Sequence, residues 1–168
     1  ANDIDSLSIP TDAEVGVLTQ TTLSVDDTSD LIHKLRGKFP NLVTGGKEDI
    51  CYATQNRQDA VKVLANKCDL IIVVGSSNSS NSNRLVETSK LMGVDSFIID
   101  LPEELDITQL DQFRVIGVTS GASVPSYLID RLVQKIKLHS PSVRIFQEDT
   151  IEKNILFPLP KEVADMRP

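Results

Sequence analysis

Tryptophan is absent and aromatic residues make up only 4% of the 168-residue chain, which leaves little material for the stacking platforms that hold single-stranded nucleic acid. Net positive charge is lacking as well. Seventeen basic against 24 acidic residues give a net charge of −7. With a sequence pI of about 4.8, long-range attraction to nucleic acid or to an anionic membrane is not expected. Long apolar runs are missing: the longest, Leu70 to Val74, is far short of the roughly 20 residues that span a bilayer. Two cysteines, Cys51 and Cys68, are too few for a disulfide framework and suit a reducing compartment. There is no GxxxxGK[ST] motif, no GxGxxG after a strand and no Ser-His-Asp arrangement. The first residues show neither a basic-then-apolar leader nor an initiator Met, so the expectation is a piece of a longer or processed cytoplasmic protein.

What is present is Val, Ile, Leu and Ala, the stock of buried parallel strands covered by helices. The length suits one domain of roughly 150 residues or two small ones. Val15 to Gln20 reads as a strand, and Ser24 with Asp27 opens a helix over Val25 to Lys38 as a capping box. Leu31, Ile32, Leu35 and Phe39 form its apolar stripe, and Pro40 ends it. The paired glycines Gly45 and Gly46, with Lys47, mark a boundary or hinge. Beyond them the pattern predicts a helix over Thr54 to Asn66, the strand Leu70 to Val74, a Ser/Asn loop, and a helix over Asn83 to Met92 that Gly93 stops. Strands over Ser96 to Asp100 and Val115 to Val118 follow, separated by a short helix or loop over Leu101 to Gln112. Last comes a helix opened by Pro125, with Leu128, Ile129, Leu132, Val133 and Ile136 on one face. The fold class is therefore α/β, a parallel sheet with helices on both faces. Residues 1–46 read as part of one α/β domain, 47–139 as a complete second one, and 140–168, with four prolines, as an extended arm.

Two segments stand where chemistry is expected, Ser76 to Asn83 and Thr119 to Ser123, each between a predicted buried strand and a helix. In open parallel sheets ligands bind outside the carboxyl ends of the strands, where free N–H groups and the positive end of a helix favour phosphate. Ser, Asn and Gly supply short donors there without Lys or Arg. The same residues are also ordinary caps and loop formers, and a Ser/Asn tract is equally a solvated flexible loop. Cys51 lies just before a helix, a place that favours thiolate, whereas Cys68 abuts a strand and reads as structural. The hydroxyls of Thr19 to Thr22 end the first strand and face a crevice or cap a helix. Arg57 and Arg84 fall in early helical turns, where each meets an anionic ligand or pairs with Asp59 or Glu87. His33 and His139 read as surface residues.

Four segments carry a resemblance: Thr19-Gln-Thr-Thr-Leu-Ser-Val-Asp-Asp27, Ile50-Cys-Tyr-Ala-Thr-Gln-Asn-Arg57, Asn78-Ser-Ser-Asn-Ser-Asn-Arg-Leu85 and Val118-Thr-Ser-Gly-Ala-Ser-Val-Pro125. In order and spacing, from about Val15 to Glu162, the chain resembles the LytB/IspH hydroxymethylbutenyl diphosphate reductases of the non-mevalonate isoprenoid pathway. The resemblance implies three α/β domains around a 4Fe-4S cluster held by three cysteines, of which Cys51 matches the third. It implies that Ser79, Ser80, Asn81 and Ser123 bind the diphosphate of an allylic substrate, and that Thr21 lies near the substrate hydroxyl as a catalytic residue. The other two cysteines, the substrate histidines and the catalytic glutamate would belong to an amino-terminal portion, and an electron donor such as flavodoxin or ferredoxin would be a further partner. The alternative is a stand-alone diphosphate-binding α/β module without redox activity.

Overall fold

Leu70 to Val74, a run of β-branched and Leu side chains, is buried at every position and forms the centre of the fold, as strand-forming residues covered on both faces must. The computed structural model describes residues 3–45 and 50–148. In chain order it contains β1 (Val15–Val17), α1 (Val25–Lys38), β2 (Leu42–Thr44), α2 (Tyr52–Ala65), β3 (Leu70–Val74), α3 (Ser80–Leu91), β4 (Asp95–Ile99), β5 (Ile116–Ser120) and α4 (Ser126–His139). Two short 3₁₀ turns, Pro102–Glu104 and Ile107–Gln112, lie between β4 and β5.

The strands form two separate parallel sheets, β1-β2 and β4-β3-β5. Alternation along β3 sends Leu70, Ile72 and Val74 to one face, where they pack with Ile99, Leu105, Leu110 and the α4 residues Leu128 and Leu132. Ile71 and Val73 meet Val61 and Ala65 of α2 and Leu85 of α3 on the other. Each such side chain fully buried contributes roughly 1.5–3 kcal/mol, so this three-stranded sheet is the main source of stability. The expected α/β class, with helices on both faces, holds for it.

The smaller unit is held by Ile4, Leu35 and Phe39, with Val15, Val17 and Leu42 against them. Ser24 caps α1 as its sequence predicts, its Oγ accepting from the Asp27 N–H at 3.2 Å. Leu31, expected in the buried stripe, is exposed. Two three-residue strands offer too little surface to cover the whole helical face. Strand β2 has no counterpart in the sequence reading, because three residues carry no period.

Other boundaries moved for identifiable reasons. Helix α3 starts at Ser80 rather than Asn83, since Ser79 caps it. Strand β5 runs on to Ser120, because Thr119 and Ser120 pair with Val73 and Val74, which places two of the expected loop residues inside the sheet. Gly93 does stop α3: its φ of 81° is accessible to Gly at little cost. Residues 141–148 are exposed and form no helix or strand. Gly46, Lys47 and the rest of the expected arm, 149–168, lie outside the described residues.

Candidate functional site

The Ser/Asn tract after β3 is folded by its own side chains onto its own backbone. Ser76 Oγ accepts from the Asn78 N–H, Ser79 Oγ from the Ser82 N–H, and Asn83 Nδ2 donates to the carbonyls of Ser77 at 2.6 Å and Ser79 at 3.0 Å. These bonds give the tract a defined turn, while Ser77, Asn78 and Ser80 stay exposed to solvent. Within this turn Ser80 is exposed and Ser79 half-buried, whereas Asn81 is only 8% exposed. Neither polar atom of the Asn81 amide, nor the Ser82 hydroxyl, finds a hydrogen-bond partner among the described residues. Buried polar groups left in that condition cost about 1–3 kcal/mol each, so their retention at a helix N-terminus calls for a functional reason.

The second segment lies against the first. Val74 pairs with both Ile99 and Ser120, so β3 and β5 end side by side. Gly121 then donates to the Val74 carbonyl at 3.0 Å. A Cβ on Gly121 would sit 2.6 Å from Ser82 Oγ and 3.8 Å from Asn81 Nδ2. Any larger residue here would have to displace the Ser82 hydroxyl, so glycine suits the close approach of this turn to the start of α3. Ser123, two residues on, is exposed. Asn81 and the Gly121 turn are thus neighbours on one carboxyl sheet edge, with Ser79 and Ser80 on the same helix end.

Cys51 caps α2 with its backbone and is exposed, its side chain making no capping bond. Its N–H donates to the carbonyl of Thr21, itself exposed, at 3.1 Å. Two residues 30 positions apart, on different α/β units, are therefore brought together. Close by, a cleft of about 180 Å³ opens between Thr22 and Leu23 on one side and Ser80, Asn83 and Arg84 on the other; Cys51, Asn81 and Ser123 do not line it. A larger hollow of about 530 Å³ lies at the other end of the β1-β2 sheet, where Asp12 and Glu14 would oppose an anion.

Cys68 behaves as its position predicts: half-buried beside the α2 and β3 core, with burial, then Asp69 and Glu148, pushing its thiol pKa up. Among the described residues no group of three or more His, Cys, Asp or Glu could hold a metal ion. Arg84 pairs with Glu87 at 2.5 Å, whereas Arg57 donates from Nη1 to Ser120 Oγ at 3.1 Å rather than pairing with Asp59. His33 is exposed, and His139 meets Asp111 at 2.7 Å at the end of α4.

Sequence reasoning missed Gln58, which is 1% exposed. Its Oε1 accepts from the Val25 N–H at 3.1 Å and its Nε2 donates to the Leu23 carbonyl at 2.9 Å. Its seven-residue spacing from Cys51, two turns along one helical face, was the available signal.

Residues 1–137 match the family model described as LytB protein. The chain is 46% identical over 162 residues to the 4-hydroxy-3-methylbut-2-enyl diphosphate reductase of Saccharophagus degradans, covering 96% of this chain and 52% of that protein. It is 44% identical over 160 residues to the same-named protein of Francisella tularensis, covering 95% of this chain and 50% of that one. The solved structure of the E-1-hydroxy-2-methyl-but-2-enyl-4-diphosphate reductase from Plasmodium falciparum superposes with a TM-score of 0.76 at 40% identity, over 81% of this chain and 43% of that chain. The chain spans about half the length of the curated relatives it matches. By family model, by identity along nearly its whole length and by fold, the chain belongs to the LytB family.

Proposed function

We propose that this chain is the carboxy-terminal portion of an iron-sulfur reductase that converts 4-hydroxy-3-methylbut-2-enyl diphosphate to isopentenyl and dimethylallyl diphosphates. The observation that carries the reading is the buried, unpartnered Asn81 amide at the start of α3, beside the Gly121 turn. A diphosphate laid across this edge would accept from the Asn81 amide, the Ser79, Ser80 and Ser123 hydroxyls and the free N–H groups of α3, where the helix end favours negative charge. No Lys or Arg is required to contact it, in keeping with an acidic protein. The reaction takes two electrons and two protons into an allylic alcohol and releases water.

Cys51 fits one ligand of a 4Fe-4S cluster: it is exposed, stands at the N-terminus of α2, and its thiol is not engaged in capping. The described residues offer no further set of ligands around it, so the remaining thiolates come, in this reading, from an amino-terminal portion of the same enzyme. When bound, the cluster supplies electrons and an open iron that acts as a Lewis acid toward the substrate oxygen. Thr21, whose carbonyl accepts from the Cys51 N–H, would in this reading offer its hydroxyl for proton delivery to that oxygen. Diphosphate binding at the sheet edge fixes the carbon chain, a positioning role worth several kcal/mol of a barrier. The same reading divides the chain into 1–46, 47–139 and 140–168, places the enzyme in the cytoplasm and makes flavodoxin or ferredoxin the electron donor. No helix among the described residues is long and apolar enough to cross a membrane.

The test is turnover of the full-length protein, purified without oxygen, with reduced methyl viologen and 4-hydroxy-3-methylbut-2-enyl diphosphate. Both five-carbon diphosphates are expected by mass spectrometry. Tight diphosphate binding with no consumption of reductant would favour the stand-alone binding module instead.

A further inference from the structure

We propose that Arg57 is a positioning residue for the anion-binding edge and acts on it through Ser120, an inference that rests on the diphosphate reading above. Arg57 lies on α2, six residues beyond Cys51, and its Nη1 donates to Ser120 Oγ at 3.1 Å. Ser120 is 1% exposed, ends β5 and immediately precedes Gly121. One hydrogen bond thus joins the helix that Cys51 caps to the turn beside Asn81 and Ser82.

Two physical consequences follow. A hydroxyl that accepts from a guanidinium has its single proton left to donate away from it, and accepting from a cation strengthens it as a donor. The charge also matters. Arg84 is engaged by Glu87 and Asp27, and Lys62 by Asp26 and Asp59. Arg57 forms no ion pair among the described residues and is half-buried, so salt screens its field toward the turn less than that of a surface cation. Its charge therefore adds to the field that offsets negative charge gathering at this edge.

The experiment compares Arg57→Gln, Arg57→Lys, Ser120→Ala and the Arg57→Gln/Ser120→Ala double variant in the full-length enzyme. The readouts are KM, kcat, inhibition by inorganic pyrophosphate and iron content. Arg57→Gln and Ser120→Ala are each expected to raise KM and the pyrophosphate inhibition constant roughly tenfold, with a smaller change in kcat and wild-type iron. The double variant should be no worse than the poorer single, the mark of two residues acting through one bond, and Arg57→Lys should recover part of the loss. Unchanged constants in Arg57→Gln, or fully additive losses in the double variant, would overturn the proposal. Should Arg57→Gln fail to fold, wild-type constants in both Arg57→Lys and Ser120→Ala overturn it equally. Asn81→Ala in the same series separates the two ideas: if it weakens pyrophosphate while the Arg57 variants do not, the anion site stands and Arg57's role falls. If neither weakens it, the anion site falls as well.

Discussion

The Cys51 N–H donates to the Thr21 carbonyl at 3.1 Å, so the first residue of the α2 cap and the segment that follows β1 are joined by backbone alone. The contact is the first of a seam. Further along the same face of α2, Gln58 takes both the Leu23 carbonyl and the Val25 N–H, and Lys62 pairs with Asp26 at 2.8 Å. Because the backbone makes the first link, either side chain can be substituted without removing that contact between the two units.

Gln58 is the strongest link in that seam. Gln58→Leu keeps the volume but leaves the Leu23 carbonyl and the Val25 N–H unpaired, at roughly 1–3 kcal/mol for each that stays out of water. Urea unfolding of the full-length protein should show a lower midpoint, and turnover should fall as Thr21 loses its place beside Cys51. A midpoint equal to wild type would mean that the seam does not hold the units together.

The two cysteines should separate cleanly. Cys51→Ser is expected to lose or destabilise bound iron in the full-length enzyme, whereas Cys68→Ala should keep iron near wild type and cost only modest packing. In metal-free protein near neutral pH, iodoacetamide should label the exposed Cys51 well before Cys68, whose burial raises its pKa. That raised value carries a sign. The folded chain keeps the Cys68 proton where the unfolded chain releases it, so the stability present below the ordinary thiol range is lost as pH rises beyond it. Comparable iron loss in both variants would refute the assignment.

Asn81→Ala should trade in opposite directions. It removes two buried unpartnered atoms, so the melting temperature of ligand-free protein should hold or rise. Pyrophosphate affinity should fall more than tenfold, matching the roughly 1.5–3 kcal/mol of a hydrogen bond to a charged group. Ser80→Ala, at an exposed position, should weaken binding with no stability change. Calorimetry that finds wild-type affinity in both would remove the start of α3 from the site.

Thr21→Val retains the shape and deletes the hydroxyl. With the carbonyl contact to Cys51 intact, the expected result is reduced kcat at unchanged melting temperature. Equal turnover would leave Thr21 a purely structural residue.

Much of the fold could be read from local pattern. The β3 run, the Ser24 cap, the Gly93 stop and the α4 stripe each depend on residues within a turn or two of one another. The placing of the Ser/Asn tract after β3 follows from alternating strands and helices in the same way, whereas Thr119 and Ser120, expected in a loop, belong to β5 by pairing with Val73 and Val74. The family motifs name Cys51, Thr21, Ser79, Ser80, Asn81 and Ser123 but say nothing of their surroundings. Tertiary structure alone decided that Asn81 is buried while Ser80 is exposed, because only packing against the Gly121 turn distinguishes two adjacent polar residues. It alone revealed β2, whose three residues are a strand only by pairing with β1. It decided also that Arg57 turns to Ser120 and Gln58 to Leu23 and Val25, across separations of 63, 35 and 33 residues. Propensity and periodicity act over a few residues, whereas hydrogen bonds between elements depend on which surfaces the hydrophobic core has already brought into contact.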